Sequence, residues 1–119
     1  MINVIQPEIP VKKVNKISTI PIHKHGSDAG YDIKALEKFS VEPRGMQLIP
    51  TGLAFAIPHG FYGQIMPRSS MALAGLTTSA GVINSGYNRE VFILVVNQGL
   101  VTITVDKGDY YAQILFLLI

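Results

Sequence analysis

The sequence predicts an all-β fold, a barrel or jelly roll interrupted by one short helix. Three observations point there. Short segments rich in Ile, Val, Phe, Tyr and Thr recur along the chain, and eleven Gly and seven Pro separate them. The turn signals return at intervals of about 8 to 12 residues, the spacing of short antiparallel strands. At 119 residues the chain makes one domain, 1–119, with residues 1–15 as an N-terminal arm. A domain of this size buries roughly two-thirds of its unfolded surface.

In order, Lys16 to Ile22 (KISTIPI) is a β-branched run and the first expected strand. Tyr31 to Ala35 follows the stretch HGSDAG, and Phe39 to Val41 and Gln47 to Pro50 flank the turn signal PRG. Leu53 to Ile57 and Tyr62 to Met66 flank PHG. Thr77 to Ile83, Glu90 to Asn97, Val101 to Val105 and Tyr110 to Leu118 complete a set of ten. Pro50, Pro58 and Pro67 fall at strand ends, where a missing backbone N–H is tolerated. The helix is PRSSMALAG at 67–75, one or two turns with Ser69 or Ser70 as N-cap and Gly75 as the stop. Helix N-termini present unpaired N–H groups, so Arg68 and two hydroxyls beside them make a local anion site. On this segment alone, capping serines and a surface arginine are the favoured account, since capping serines are common and phosphate sites are not.

Composition narrows the function classes. A hydrophobic content of 48% against 15% charged leaves less polar surface than a solitary domain usually shows, which points to an oligomer. A net charge of +2 with scattered basic residues argues against a nucleic acid polymer as partner. The one local cluster, Lys12, Lys13 and Lys16, reads as a solvated basic arm. With no Cys, disulfides and thiolate metal sites are excluded. No apolar run reaches the roughly 18 residues of a membrane span, and no signal-peptide core is present, so no membrane association and a soluble intracellular, cytoplasmic location are expected.

GVINSGYNRE, residues 81–90, is a polar bend between apolar stretches. Gly and Asn suit a turn because both tolerate positive φ, but Tyr87 in the middle of it is unexpected. Taken together and in this order, AGYDI at 29–33, PRSSMALAG at 67–75, GVINSGY at 81–87 and GDYYAQ at 108–113 resemble four of the five motifs of the trimeric dUTPase family. The likeness runs over roughly residues 20–118.

The resemblance implies a dUTPase-like jelly-roll protomer assembled as a homotrimer, with each active site built where subunits meet. In that family water attacks the α-phosphate of Mg-bound dUTP, giving dUMP and diphosphate, and the Mg2+ arrives with the substrate rather than in a protein cage. Carried over by position, Arg68, Ser69 and Ser70 would hold phosphate oxygens, with Gln113 in the same neighbourhood. Gly81, Val82, Ile83 and Asn84 would pair main-chain groups with the uracil edge. Tyr87 would stack beneath the sugar and leave no room for a ribose 2′-hydroxyl. Asp32 would lie near the triphosphate and its metal, although a turn-capping role suits an Asp here equally well.

Four departures stand out. The family pattern has Asp at the position of Asn84, where it orients water and takes its proton; an amide is not basic, and losing a general base typically costs about 10² to 10⁴ in rate. Gly is usual at the position of Arg89, so an Arg at positive φ there would be strained or would reshape the hairpin. Tyr110 and Tyr111 replace the common Arg and Ile after GD. The sequence runs to Leu117, Leu118 and Ile119 without the Gly-rich fifth motif. These departures favour a deoxyuridine nucleotide-binding relative with impaired or lost hydrolysis. The alternatives are an active dUTP diphosphatase and a purely structural or protein-interaction module on the same barrel. The related dCTP deaminase needs a Glu in the strand after the hairpin, where this chain has Leu94. His23 and His25 could share a strand face and invite a metal reading, but no further Cys or His pair completes a site, and a solvated loop is the expectation.

Overall fold

The protein is described from a computed structural model, which describes residues 2–5, 9–23 and 29–119. Among these, twelve strands and one helix form: β1 (Ile2–Ile5), β2 (Ile9–Lys13), β3 (Tyr31–Lys34), β4 (Phe39–Val41), β5 (Met46–Pro50), β6 (Leu53–Phe55), β7 (Phe61–Pro67), α1 (Ser69–Ala74), β8 (Leu76–Ser79), β9 (Val82–Ile83), β10 (Phe92–Asn97), β11 (Ile103–Val105) and β12 (Tyr110–Leu118). The hydrogen-bonded groups run β1-β2-β6, β5-β10-β8, β11-β4 and β3-β12-β7-β9. Strand alternation supplies one core shared by all four: Val11 from β2, Ile33 from β3, Ile65 from β7, Ile93 from β10, Val105 from β11 and Ile114 from β12 are all buried in a single cluster. Each such side chain contributes roughly 1.5–3 kcal/mol by leaving water.

Outside that core, the sheet of β5 and β10 carries an apolar outer face. Met46, Leu48 and Pro50 lie opposite Val96, Leu94 and Phe92. Met46 is 62% exposed, Leu48 61% and Phe92 46%. Such a face on one protomer is the surface counterpart of the low polar content.

The fold differs from the sequence expectations in four places. Lys16 to Ile22 is not a strand; only Ile22 makes an isolated bridge, to Asp32. Turn chemistry wins there over β-branched composition, because Asn15 Oδ1 accepts from Ile17 N at 3.0 Å and the Ser18 hydroxyl donates to Asn15 O at 2.6 Å. Within the expected arm, Ile9–Lys13 is instead a strand between β1 and β6, with Ile9 and Val11 fully buried. Lys12, Lys13 and Lys16 are exposed. The expected strand Thr77 to Ile83 is two strands, broken by positive φ at Ala80 (58°) and Gly81 (98°), where the chain leaves β10 and joins β7. Finally, neither serine caps α1. The N-cap is Arg68, in extended geometry with no side-chain cap bond, because β7 runs on through Pro67 and places Ser69 and Ser70 inside the first turn. Gly75 closes the helix in the left-handed conformation, as expected.

Candidate functional site

Three of the four motifs converge on the β3-β12-β7 ladder. Asp32, in β3, is buried and opposite Gln113 of β12, so it is a strand residue and not a turn cap. Its Oδ1 lies 3.3 Å from Arg68 Nε, at the end of β7. The ion pair is made through Nε and does not consume the two terminal guanidinium nitrogens, the fork that suits an oxyanion. Gln113 Nε2 donates to Pro67 O at 3.0 Å, fixing the residue just before Arg68. Gly30 leaves room for the Gln113 amide: a Cβ there would overlap Gln113 Oε1 and come within 2.8 Å of its Cδ, so the movable end of that side chain would have to shift. Ser69 and Ser70 follow at the exposed helix start.

Two residues that motif reading did not place also belong to this cluster. The Tyr110 ring centroid lies 5.5 Å from the Arg68 guanidinium carbon and 5.3 Å from Lys34 Nζ. Lys34 was recoverable from alternation, since it is two residues beyond Asp32 on the same strand. Two cations therefore gather at the Tyr110 ring, and one of them, Arg68, is paired with Asp32.

The remaining motif, GVINSGY, builds a separate wall. Ile83 and Val82 pair with Gly63 and Gln64 of β7, and Gly81 O accepts from Ile65 N at 2.9 Å. Gly81 cannot easily be replaced, because its φ is positive and a Cβ would lie 3.1 Å from Ile65 O. Residues 81–84 and Tyr87 line a cavity of about 350 Å³ together with Leu48, Ile65, Val91 and Phe92. That volume is in the range of small-ligand sites. Asn84 is exposed at this cavity, and its carbonyl accepts from Tyr87 N at 3.0 Å. The Tyr87 hydroxyl donates to Glu90 O at 2.7 Å, and Glu90 Oε2 accepts from Gly52 N at 2.9 Å. The Tyr is thus anchored at both ends of the bend. Arg89 does not take the expected strained conformation: among the described residues, the non-glycine positions with positive φ are Arg44 and Ala80. Neither the Asp32–Arg68 pair nor Gln113 lines this cavity, so within one protomer the two walls are distinct places.

A sequence profile of the dUTPase family matches residues 16–119. The chain belongs to the dUTPase family. It is 38% identical over 109 residues to the deoxyuridine 5'-triphosphate nucleotidohydrolase of Clostridium kluyveri, covering 89% of this chain and 76% of that protein. To the same enzyme of Fowlpox virus it is 37% identical over 110 residues, with 92% and 76% covered. Among solved structures, the Staphylococcus bacteriophage 80alpha dUTPase superposes with a TM-score of 0.88 at 25% identity, covering 96% of this chain and 92% of that one. A mutant of the dUTPase from phage phi11 of S. aureus, which coordinates a structural Mg(II) ion, superposes at 0.86 and 25% identity, with 93% and 90% covered. The all-β dUTPase fold with one short helix is therefore the fold of this chain.

For this dUTPase-family chain, no group of three or more His, Cys, Asp or Glu among the described residues could hold a metal. His25 lies outside the described residues. His23 departs from the solvated-loop expectation: its ring stacks on Tyr31 with centroids 3.9 Å apart, and its Nε2 is buried. The dUTPase fold includes no helix, among the described residues, long and apolar enough to cross a membrane.

Proposed function

We propose that this protein binds a deoxyuridine nucleotide and hydrolyses dUTP slowly, because Asn84 stands where a general base is needed. The observation that carries the reading is the cavity formed by residues 81–84 and Tyr87. The backbone groups of 81–84 take the uracil edge, and the Tyr87 ring, held by its bond to Glu90 O, lies beneath the sugar and excludes a 2′-hydroxyl. Arg68, Ser69, Ser70 and Gln113 take the phosphates, with Asp32 orienting Arg68 through their ion pair. Mg2+ enters on the triphosphate as part of the substrate, in keeping with a phosphate side whose carboxylate is already paired to an arginine.

The phosphate cluster and the nucleoside cavity are separate in one protomer, and apolar Leu48 and Phe92 stand exposed beside the cavity. A homotrimer that brings one protomer's cavity to another's phosphate cluster completes the site. Without a base, water in this site is positioned near the α-phosphate but keeps its proton, so binding outlasts chemistry.

Calorimetry with dUMP, UMP and dCMP tests the pocket, and diphosphate release tests the chemistry. The expected results are a preference for dUMP over both competitors and a slow wild type. Asn84→Asp should raise the rate toward the roughly 10² to 10⁴ expected of a general base. Arg89 is not at positive φ, which removes strain but leaves a reshaped hairpin; Asn84→Asp alone, set against the double change with Arg89→Gly, tells whether the hairpin still places the carboxylate. Equal affinity for dUMP and UMP would leave only a structural module on the barrel. Rapid Mg-dependent turnover by the unmodified chain would instead make it an active dUTP diphosphatase with a different base.

A further inference from the structure

Tyr110 and Tyr111 are adjacent in sequence yet meet opposite environments. Asp32 and Lys34, two apart on β3, share a face. Their partners across the ladder are Gln113 and Tyr110. Those two are three apart, and regular pleating would send them to opposite faces of the sheet. The register shifts between Tyr110 and Ala112, which face the consecutive residues Lys34 and Ile33, so Tyr111 is the extra residue of a β-bulge. The bulge resets the alternation. Tyr111 and Ala112 are both buried, at 1% and 0% exposure, and Tyr110 and Gln113 both come to the side of Asp32 and Lys34.

The consequence for Arg68 is a guanidinium confined from two directions. Asp32 holds it through Nε at 3.3 Å, and the negative face of the Tyr110 ring attracts it at 5.5 Å. Lys34 Nζ, 5.3 Å from the same ring, is drawn to the same place. An arginine carries about 2 kcal/mol of rotamer entropy, so restraining it before an anion arrives favours binding.

We propose that Tyr110 is a positioning residue for anion recognition: aimed by the bulge, its ring holds Arg68 ready to grip a nucleotide triphosphate. This rests on the reading that Arg68 takes phosphate. The test is calorimetry of the full chain with Mg2+ and dUpNHpp, a dUTP analogue, and in parallel with deoxyuridine, which has no phosphate. Tyr110→Leu should weaken dUpNHpp roughly 2- to 30-fold, the span of a cation–π contact from exposed to desolvated, and leave deoxyuridine within about twofold. Tyr110→Phe keeps the ring and should match the wild type. Tyr110→Met retains apolar bulk without the ring and should behave as the Leu variant, so it carries the test if Leu misfolds. In an Arg68→Ala background, Tyr110→Leu should cost nothing further.

Two results separate the failures. If Arg68→Ala weakens dUpNHpp and the Leu and Met variants do not, the positioning role is overturned while the phosphate site stands. If Arg68→Ala itself leaves dUpNHpp unaffected, the phosphate-site reading falls, and the role of Tyr110 falls with it. An equal loss of deoxyuridine affinity in the Leu and Met variants would mark Tyr110 as a merely structural residue.

Discussion

Replacing Tyr111 with Phe should stabilise the protein, and more so in alkali. The Tyr111 side chain is fully buried against Phe39, its ring meeting that of Phe39 edge-on at 5.3 Å. Its hydroxyl has no hydrogen-bond partner among the described residues. An unpaired buried hydroxyl costs about 1–3 kcal/mol. Removing one oxygen leaves a void of roughly 15 Å³, worth about 0.4 kcal/mol at 24 cal/mol per Å³. The net gain near neutral pH is therefore about 1–2 kcal/mol by the same scales.

The pH dependence has a definite sign. Burial pushes the Tyr111 phenol well above its ordinary value of 10.0, so below that value both folded and unfolded chains keep the proton. Above it, only the unfolded chain releases the proton, and stability falls with rising pH until the folded phenol also ionises. From this one group the loss is about 1.4 kcal/mol between pH 9 and pH 11. Urea unfolding of wild type and Tyr111→Phe at one fixed protomer concentration isolates the contribution of the phenol, because the two proteins differ in that group alone. The advantage of the Phe variant should grow across that interval. A Phe variant less stable than the wild type at pH 7, or a difference constant from pH 9 to pH 11, would refute the account and mean that the hydroxyl has a partner.

Two other changes probe the site and the assembly. Gly30→Ala should displace the Gln113 amide from Pro67 O, costing about 0.5–1.5 kcal/mol, the worth of one hydrogen bond, and weakening dUpNHpp binding; unchanged melting and unchanged calorimetry would contradict the overlap with Gln113 Oε1. Light scattering should return three times the 13.0 kDa protomer mass, and a stable single-protomer mass at micromolar concentration would remove the trimer.

Much of the architecture was legible because strand composition and turn chemistry agree at most boundaries. Phe39 to Val41 and Tyr110 to Leu118 are strands with the expected ends. Agreement failed where a single side chain redirected the backbone. Asn15 turns the chain through its own side-chain oxygen, and no property of the following KISTIPI reveals that this bond is made. Ala80 adopts a left-handed φ that its residue type does not advertise. At the candidate site, the family resemblance pointed to Asp32, Arg68 and Gln113, and the fold brings these three together. It could not identify Tyr110, because alternation alone places Tyr110 and Gln113 on opposite faces and the bulge lies in the ladder, not in the residue types. The cavity residues Leu48 and Phe92 looked like ordinary strand apolars for the same reason: their role comes from the packing of β5 and β10 beside the hairpin.

Leu48 and Phe92 have a double membership: they belong to the exposed apolar face of the β5-β10 sheet and to the wall of the cavity at 81–87. Any surface that covers that face also alters the cavity's mouth, so the two equilibria share side chains. Coupling of this kind is reciprocal: if association tightens the ligand by some factor, the ligand tightens association by the same factor. A titration at low protomer concentration would then report a weaker apparent affinity than one at high concentration, with no change in any residue that touches the ligand.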